Sequence, residues 1–307
     1  MNNIFSENLK KLRNSKHLTQ EQVAEALKVS PQSVSRWECG NTFPDIMLLP
    51  EIARLYSVTV DDLYRENSYA YPNYAARLSA IYEESHALED FIRVDAEYSR
   101  IMKAGTPTMD DLRLYAIAYH QLMHDARRKA LSLYDQALAR GPEDDREIYY
   151  RVKRQKTYML FQIGRGEEAL KAQEESYAAD PNNPEEAACL ISAYFDAKQY
   201  AKVYEFYQKV IVKFPNEYTL HVYGGDACKE LKNYEQAFAC WEKALALNTR
   251  WYDVKYSMAF CHEEMGEYQK AYDMWICIAE EGERDGFEIE SKMPRERAAK
   301  CLEKLQN

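Results

Sequence analysis

The sequence lacks long apolar runs and contains few of the residues that break helices. Glycine and proline contribute only ten residues each to a chain of 307. No apolar run approaches the roughly 18 residues of a membrane-spanning helix, and the N-terminus has no apolar segment typical of a signal peptide. Seven cysteines are scattered without a C-x-x-C pair, as is typical of reduced thiols. We therefore expect a soluble, cytoplasmic protein that does not contact a membrane.

The patterns of common catalytic and metal sites are also missing. G-x-S-x-G, Walker and H-E-x-x-H motifs do not occur. His120 and His124 lie four residues apart on a predicted helix, but no third ligand accompanies them in the sequence. Residues 224–226 lack the spacing of a phosphate-binding loop, and Gly225 falls where close helix packing needs a small residue. We expect neither an enzyme nor a bound metal or cofactor.

The chain has no overall excess of positive charge. Its 50 acidic and 40 basic residues give a net charge of −10, which argues against unspecific coating of nucleic acid. Residues 1–43 differ: six Lys or Arg against four Glu give +2, so the remainder carries −12. We expect any contact with DNA to come from the N-terminal end.

Residues 19–40 have the signals of two short helices joined by a tight corner. Thr19 is placed to cap the first helix, and Gln22 completes a capping box. Ser30 caps the second helix, and Pro31 takes its first position, where no N–H is needed. The spacing therefore predicts a helix-corner-helix unit.

The second of these helices has an apolar face and a polar face. Val34 and Trp37 are predicted to face inward, because they lie three residues apart. The outward face carries Gln32, Ser33, Ser35 and Arg36. Amides, hydroxyls and a guanidinium on one helix face suit hydrogen bonding to base edges in a DNA major groove.

Three further helices complete a five-helix domain over residues 1–66. Apolar spacing predicts a first helix over 4–14, a fourth over 46–56 and a fifth over 60–64. Asp45 is the predicted cap of the fourth helix. A domain of this size is compact but only marginally stable alone.

The residues of this domain resemble the phage-repressor type of helix-turn-helix, the Cro-like or XRE group. The resemblance is carried by Thr19-Gln20-Glu21-x-x-Ala24 followed by Val29-Ser30-x-x-x-Val34-Ser35-x-Trp37-Glu38-x-Gly40. One departure is Lys28, because the corner position is often glycine; a left-handed Lys costs roughly 1 kcal/mol, which the surrounding helices can tolerate.

This resemblance implies a role for several residues. The position of Gln20 holds a backbone phosphate, and those of Gln32, Ser33 and Arg36 contact base edges. The positions of Arg13 and Glu38 form an internal ion pair. The complete set of expected DNA-binding residues is Thr19, Gln20, Ser30, Gln32, Ser33, Ser35 and Arg36.

The remainder of the chain is predicted to be helical and repetitive. Residues 67–73 are predicted to be a linker, and residues 74–110 a degenerate hairpin with helices over 74–86 and 88–104. After that, small or branched residues recur every 34 positions at Ala169, Val203, Ala237 and Ala271, with a copy 39 positions upstream at Ala130. The pattern resembles tetratricopeptide (TPR) repeats, about five units over 111–285, closed by a capping helix in 286–307. The predicted fold class is therefore all-α: a five-helix DNA-binding domain followed by a helical solenoid.

The concave face of such a solenoid is a candidate ligand groove. With units starting near residues 111, 150, 184, 218 and 252, one face of each first helix points inward. The inward-facing candidates are Tyr115, Tyr119, Arg151, Arg154, Tyr158, Phe161, Ser192, Phe195, Tyr223, Asp226, Tyr256 and Phe260. Aromatic rings and arginines suit an extended peptide, whose carboxylates arginine binds bidentately. The alternative is that many of these rings pack between repeats.

Domain order and size are similar to the RRNPP group, the peptide-sensing, quorum-sensing regulators of Gram-positive bacteria. That resemblance implies a homodimer that binds a double-stranded operator with two half-sites and a short peptide in the TPR region. The chain departs from the group in one respect, since no Asn occupies an inner position of the repeats. A protein partner is therefore an alternative ligand for the TPR region. A TPR interaction scaffold with a secondary helix-turn-helix is the alternative function for the chain.

Overall fold

A computed structural model describes residues 4–66, 68–247, 252–284, 286 and 291–306 of the chain. The described residues are helical with connecting turns and contain no strand, so the predicted all-α class is confirmed. None of the described helices is both long and apolar enough to cross a membrane. Two compact units are present, Met1–Ala130 and Leu131–Asn307.

The first helices lie at the positions along the chain that the cap signals predict. They are α1 (Ile4–Ser15), α2 (Gln20–Leu27), α3 (Pro31–Glu38) and α4 (Leu49–Tyr56), with 3-10 turns at Ile46–Leu48 and Asp61–Tyr64. The predicted fourth helix therefore starts three residues later as an α-helix. Pro50 explains this difference, because proline fits only the first turn of an α-helix.

An apolar stripe from each helix closes the core of this domain. Phe5, Leu9 and Leu12 lie on one side of α1 and are at most 2% exposed. They pack with Val34 and Trp37 of α3. Burial of these large side chains is the main stabilising contribution for so small a domain.

A partly buried ion pair joins α1 to the end of α3. Arg13 donates to Glu38 from Nε at 2.6 Å and from Nη2 at 3.0 Å. Its third donor, Nη1, binds the carbonyl oxygen of Leu18 at 2.9 Å. Hydrogen bonding to Glu38 raises the pKa of Arg13. The ion pair implied by the sequence resemblance is therefore confirmed.

The segment predicted to be a linker is anchored to the helix-turn-helix. Lys16 Nζ donates to Ser57 Oγ at 2.8 Å and to the carbonyl oxygens of Tyr71 and Pro72 at 2.6 and 3.0 Å. Burial lowers the pKa of Lys16. Asn67, the first residue of the predicted linker, lies outside the described residues. Residues 68–73 therefore lie against the domain.

The hairpin that follows is bound to the same domain by two ion pairs. It consists of α5 (Tyr74–Ser85) and α6 (Leu88–Lys103). Arg77 of α5 binds both oxygens of Asp62, at 2.7 and 2.8 Å. Arg54 of α4 binds Glu97 of α6 at 2.9 Å.

The next helix differs from the predicted first repeat. Instead of a helix pair, α7 (Met109–Leu138) is one helix of 30 residues. The other turns between paired helices each contain a left-handed residue, at Gly164, Lys198, Lys232 and Gly266, again 34 positions apart. Asp125 occupies the corresponding position of α7, where no glycine or proline occurs, and the helix continues through it.

Helix pairs with the TPR period make up the second unit. They are α8 (Arg146–Gln162) with α9 (Gly166–Ala179), α10 (Pro184–Asp196) with α11 (Tyr200–Ile211), α12 (Tyr218–Glu230) with α13 (Tyr234–Leu247) and α14 (Tyr252–Glu264) with α15 (Tyr268–Arg284). The final helix, α16 (Lys292–Gln306), lies in the predicted capping segment, of which residues 287–290 and 307 are outside the described part. The repeated positions Ala169, Val203, Ala237 and Ala271 are at most 3% exposed. A TPR-like solenoid therefore follows the helix-turn-helix.

Gly225 allows α12 and α13 to approach closely, as the sequence predicts. A Cβ atom at this position would lie 2.5 Å from Cδ1 and 2.6 Å from Nε1 of Trp241. Trp241 is fully buried, so its ring has little room to move.

We predict that Gly225→Ala lowers the free energy of unfolding of the solenoid by about 1–3 kcal/mol, because the methyl group overpacks the indole. Urea unfolding followed by circular dichroism measures this. Glu230→Ala, at an exposed position of the same helix, is the control and should change little. Equal midpoints for the two variants would contradict the packing account.

We also predict that Glu38→Ala destabilises the N-terminal domain by about 1–3 kcal/mol, since it leaves the half-buried Arg13 guanidinium without its carboxylate partner. Hydrogen exchange of the α1 and α3 amides reports this domain separately from the solenoid. Glu25→Ala removes an exposed carboxylate of α2 and serves as the control. Unchanged protection of α3 in Glu38→Ala would show that the ion pair does not hold the helices.

Candidate DNA-binding site and solenoid cavity

The corner between α2 and α3 is built by local capping. Gln22 N donates to Thr19 Oγ1 at 3.2 Å, and Gln22 Oε1 accepts from Thr19 N at 2.8 Å. Ser33 N donates to Ser30 Oγ at 3.2 Å. Lys28 takes the left-handed conformation, with φ at 54°. These contacts confirm the predicted caps and corner.

Helix α3 has the two faces that its sequence predicts. Val34 and Trp37 are 2% and 6% exposed and anchor the helix in the core. Gln32 and Arg36 are exposed on the opposite side, while Ser33 and Ser35 are half-buried. In the described part of the chain the Arg36 side chain makes no hydrogen bond or ion pair, so its guanidinium donors are available to a ligand.

Gln20 lies at the junction of α2 and α3. Its Nε2 donates to Glu38 Oε2 at 2.8 Å, the same carboxylate that Arg13 binds. The side-chain N–H of Gln20 is thus oriented by Glu38. The sequence resemblance predicts the Arg13 pair but not this third partner, because nothing in the spacing shows that the start of α2 meets the end of α3.

A cavity of about 580 Å³ lies on the faces of α8, α10 and α12 in the second unit. Six predicted groove residues line it: Arg151, Arg154, Tyr158, Ser192, Phe195 and Tyr223. Glu147, Gln155, Asp196 and Tyr218 also line it and were not predicted. Asp196 is the last residue of α10, where helix periodicity gives no indication of burial.

The charged side chains of the cavity differ in their pairing. Arg151 binds Glu147 at 2.5 Å. Neither Arg154 nor Asp196 forms an ion pair with another described residue. Burial raises the pKa of Asp196 to about 7, and burial also raises the pKa of Tyr223, which lines the same cavity. The cavity therefore contains a guanidinium and a carboxyl group that lack protein partners of opposite charge.

Two predicted groove residues lie in the first unit instead. Tyr115 and Tyr119 of α7 both donate to Asp95 Oδ1, at 2.6 and 2.7 Å. Hydrogen bonding to these two hydroxyls lowers the pKa of Asp95. Their rings therefore secure α7 against α6 rather than line the solenoid cavity.

The remaining predicted groove residues pack between helices outside the cavity: Phe161, Asp226, Tyr256 and Phe260. Asp226 accepts from Trp241 Nε1 at 2.9 Å, and burial raises its pKa to about 6. Tyr256 and Phe260 contact the edge of Trp275, with ring centroids 5.5 and 4.9 Å apart. These four residues therefore pack against the second helix of their own pair, so the contacts lie within repeats and not between them.

The helix-turn-helix family model matches residues 9–63. Among curated proteins, the HTH-type transcriptional activator BcrR of Enterococcus faecalis is 48% identical over 59 residues, which are 19% of this chain and 29% of BcrR. The HTH-type transcriptional regulator YqaE of Bacillus subtilis, itself uncharacterized, is 37% identical over 65 residues, 21% of this chain and 56% of YqaE. The chain thus matches about a third to a half of the length of these relatives.

Two solved structures show more distant likenesses. A TPR protein of Thermus thermophilus is 19% identical with a TM-score of 0.45, over 62% of this chain and 94% of that one. PlcR of Bacillus thuringiensis, solved with the peptide PapR7 and DNA, is 14% identical with a TM-score of 0.30, over 88% of this chain and 98% of PlcR. From the family match and the capped, two-faced α3, we conclude that residues 9–63 are a helix-turn-helix domain of the XRE type.

Proposed function

We propose that this chain is a sequence-specific, DNA-binding transcriptional regulator that acts as a homodimer and is controlled by a ligand of its solenoid. The observation that carries the proposal is the exposed polar face of α3, whose Arg36 has no partner in the described structure. A guanidinium in this position matches the paired acceptors of guanine in the major groove.

Specific contacts have to outweigh bulk electrostatics in this protein. The net charge of −10 repels DNA overall, and the N-terminal 43 residues carry an excess of only two positive charges. Gln32 and Ser33 supply further hydrogen-bonding groups beside Arg36. Discrimination between sequences is therefore expected to depend on these few side chains.

Gln20, on the neighbouring helix α2, helps to orient the polar face of α3. It begins α2, where the first N–H groups point outward and favour a phosphate oxygen. Because its side chain is already bonded to Glu38, the amide is held in place before DNA arrives. We assign Gln20 and Thr19 to backbone contact, which positions α3 without reading sequence.

We predict that Arg36→Ala loses about 1–3 kcal/mol of discrimination at one base pair, whereas Gln20→Ala weakens binding to all sequences alike. Fluorescence anisotropy with a selected binding site and a scrambled duplex separates the two effects. Arg140→Ala removes an exposed arginine of the second unit and is the control. Equal losses on both duplexes for both variants would contradict the assigned roles.

We predict a dimer in solution, because a single recognition helix contacts only a few base pairs. Light scattering should give twice the chain mass of 35.9 kDa. On DNA, the footprint should contain two similar half-sites, roughly 10 bp or a multiple apart. A monomer mass with an unrepeated footprint would overturn this part of the proposal.

A further inference from the structure

Two exposed histidines of α7 lie one helical turn apart with their ring nitrogens close together. His120 Nε2 and His124 Nε2 are 3.2 Å apart, and the ring centroids are 4.7 Å apart. We propose that this pair chelates a divalent first-row transition-metal ion such as Zn²⁺, with water at the remaining coordination positions. The site goes beyond the proposed function, because it requires neither DNA nor a second copy of the chain.

The distance between the two nitrogens matches that of two imidazoles on one metal ion. Zinc binds histidine nitrogen at about 2.0–2.1 Å, so two of its tetrahedral ligands are about 3.3–3.4 Å apart. The observed 3.2 Å lies close to that value. A spacing of four residues places both side chains on the same face of the helix. The chelate can therefore close by small side-chain rotations, without a change in the backbone of α7.

The pair is also available to an ion. Within the described part of the chain, the imidazoles of His120 and His124 form a hydrogen bond only with each other. By contrast, His86, His221 and His262 each bond a carboxylate or a hydroxyl of another residue. Both rings of the pair are exposed, so a hydrated ion can reach them. Binding would replace one exposed hydrogen bond, which contributes little net free energy, by two bonds to the metal.

The protein supplies two ligands and not a closed set. The carboxylate of Asp125, next to His124, is already engaged, since Oδ2 accepts from Tyr82 at 2.9 Å and Oδ1 from Arg128 at 2.6 Å. No group of three His, Cys, Asp or Glu that could hold an ion occurs among the described residues. Imidazole suits zinc, copper and nickel, and water can complete their coordination. The sequence expectation of no bound metal depends on the missing third ligand, which solvent replaces at this site.

Chelation stabilises the helical turn that carries the pair. The two Nε2 atoms can share an ion only while residues 120–124 are helical, so the ion binds the helical state more tightly than an opened one. This turn lies directly before Asp125, the position at which the other helix pairs turn and α7 continues. The bound ion is therefore expected to stabilise α7 as one continuous helix at this position.

The test uses the full chain without a polyhistidine tag, in a buffer that does not bind metals. Isothermal titration calorimetry with Zn²⁺ should give one saturable site per chain, whereas Mg²⁺, which prefers oxygen ligands, should give none. His120→Gln and His124→Gln should each weaken zinc binding at least about tenfold, because loss of a partner outside the ligand shell already costs about 10–100-fold. His17→Asn is the matched control: it removes a single exposed histidine, and Asn tolerates the left-handed backbone there.

Two further measurements distinguish chelation from loose surface binding. The electron paramagnetic resonance spectrum of bound Cu²⁺, which imidazole binds more tightly than Zn²⁺, should show two nitrogen ligands in the wild-type chain and fewer in either variant. Hydrogen exchange of the amides of residues 120–128 should slow by up to about 100-fold at a free zinc concentration 100 times the dissociation constant. Both variants change exposed side chains, so circular dichroism should show them folded.

Several results would overturn the proposal: no saturable zinc binding, equal zinc affinity in the wild-type chain and both variants, or a single nitrogen ligand on Cu²⁺ in the wild-type chain. A loss of affinity in His17→Asn as large as that in His120→Gln would also overturn it, since binding would then not depend on the pair. Zinc binding with unchanged exchange of residues 120–128 would refute the stabilisation of α7.

Discussion

One buried carboxylate, that of Glu38, holds the candidate DNA-binding surface together. It accepts from Arg13 of α1 and from Gln20 of α2 while it ends α3, so one group joins three helices. A buried charge is tolerated only when its hydrogen-bonding capacity is satisfied, and here both oxygens have partners. The orientation of α3 is therefore determined before any DNA is bound, which reduces the ordering cost of binding.

The solenoid depends on a different constraint, which is a left-handed residue in the turn of each helix pair. Glycine meets this requirement at Gly164 and Gly266, and lysine at Lys198 and Lys232. The close approach at Gly225 then allows α12 to pack on Trp241. These backbone requirements place the faces of α8, α10 and α12 side by side and so form the cavity.

The helix-turn-helix can be predicted from sequence because its signals are local. Features that depend on tertiary contacts cannot be predicted in this way. The caps at Thr19 and Ser30 and the left-handed Lys28 depend on neighbours within a few residues, and all were predicted. The continuous α7 was not, because the repeat pattern around Ala130 persists although no residue favours a turn near Asp125. Helix phase places Arg154 in the groove but cannot show that Asp196, at a helix end, is half-buried without an ion-pair partner among the described residues.

We infer that this acidic protein recognises DNA sequence through a few side chains of α3. Selection of bound duplexes from a randomised pool by the full chain, at physiological salt, tests this inference. We expect an enriched motif with two half-sites about one helical turn (~10 bp) or a multiple apart. Recovery of no motif, as expected of an interaction scaffold, would contradict it.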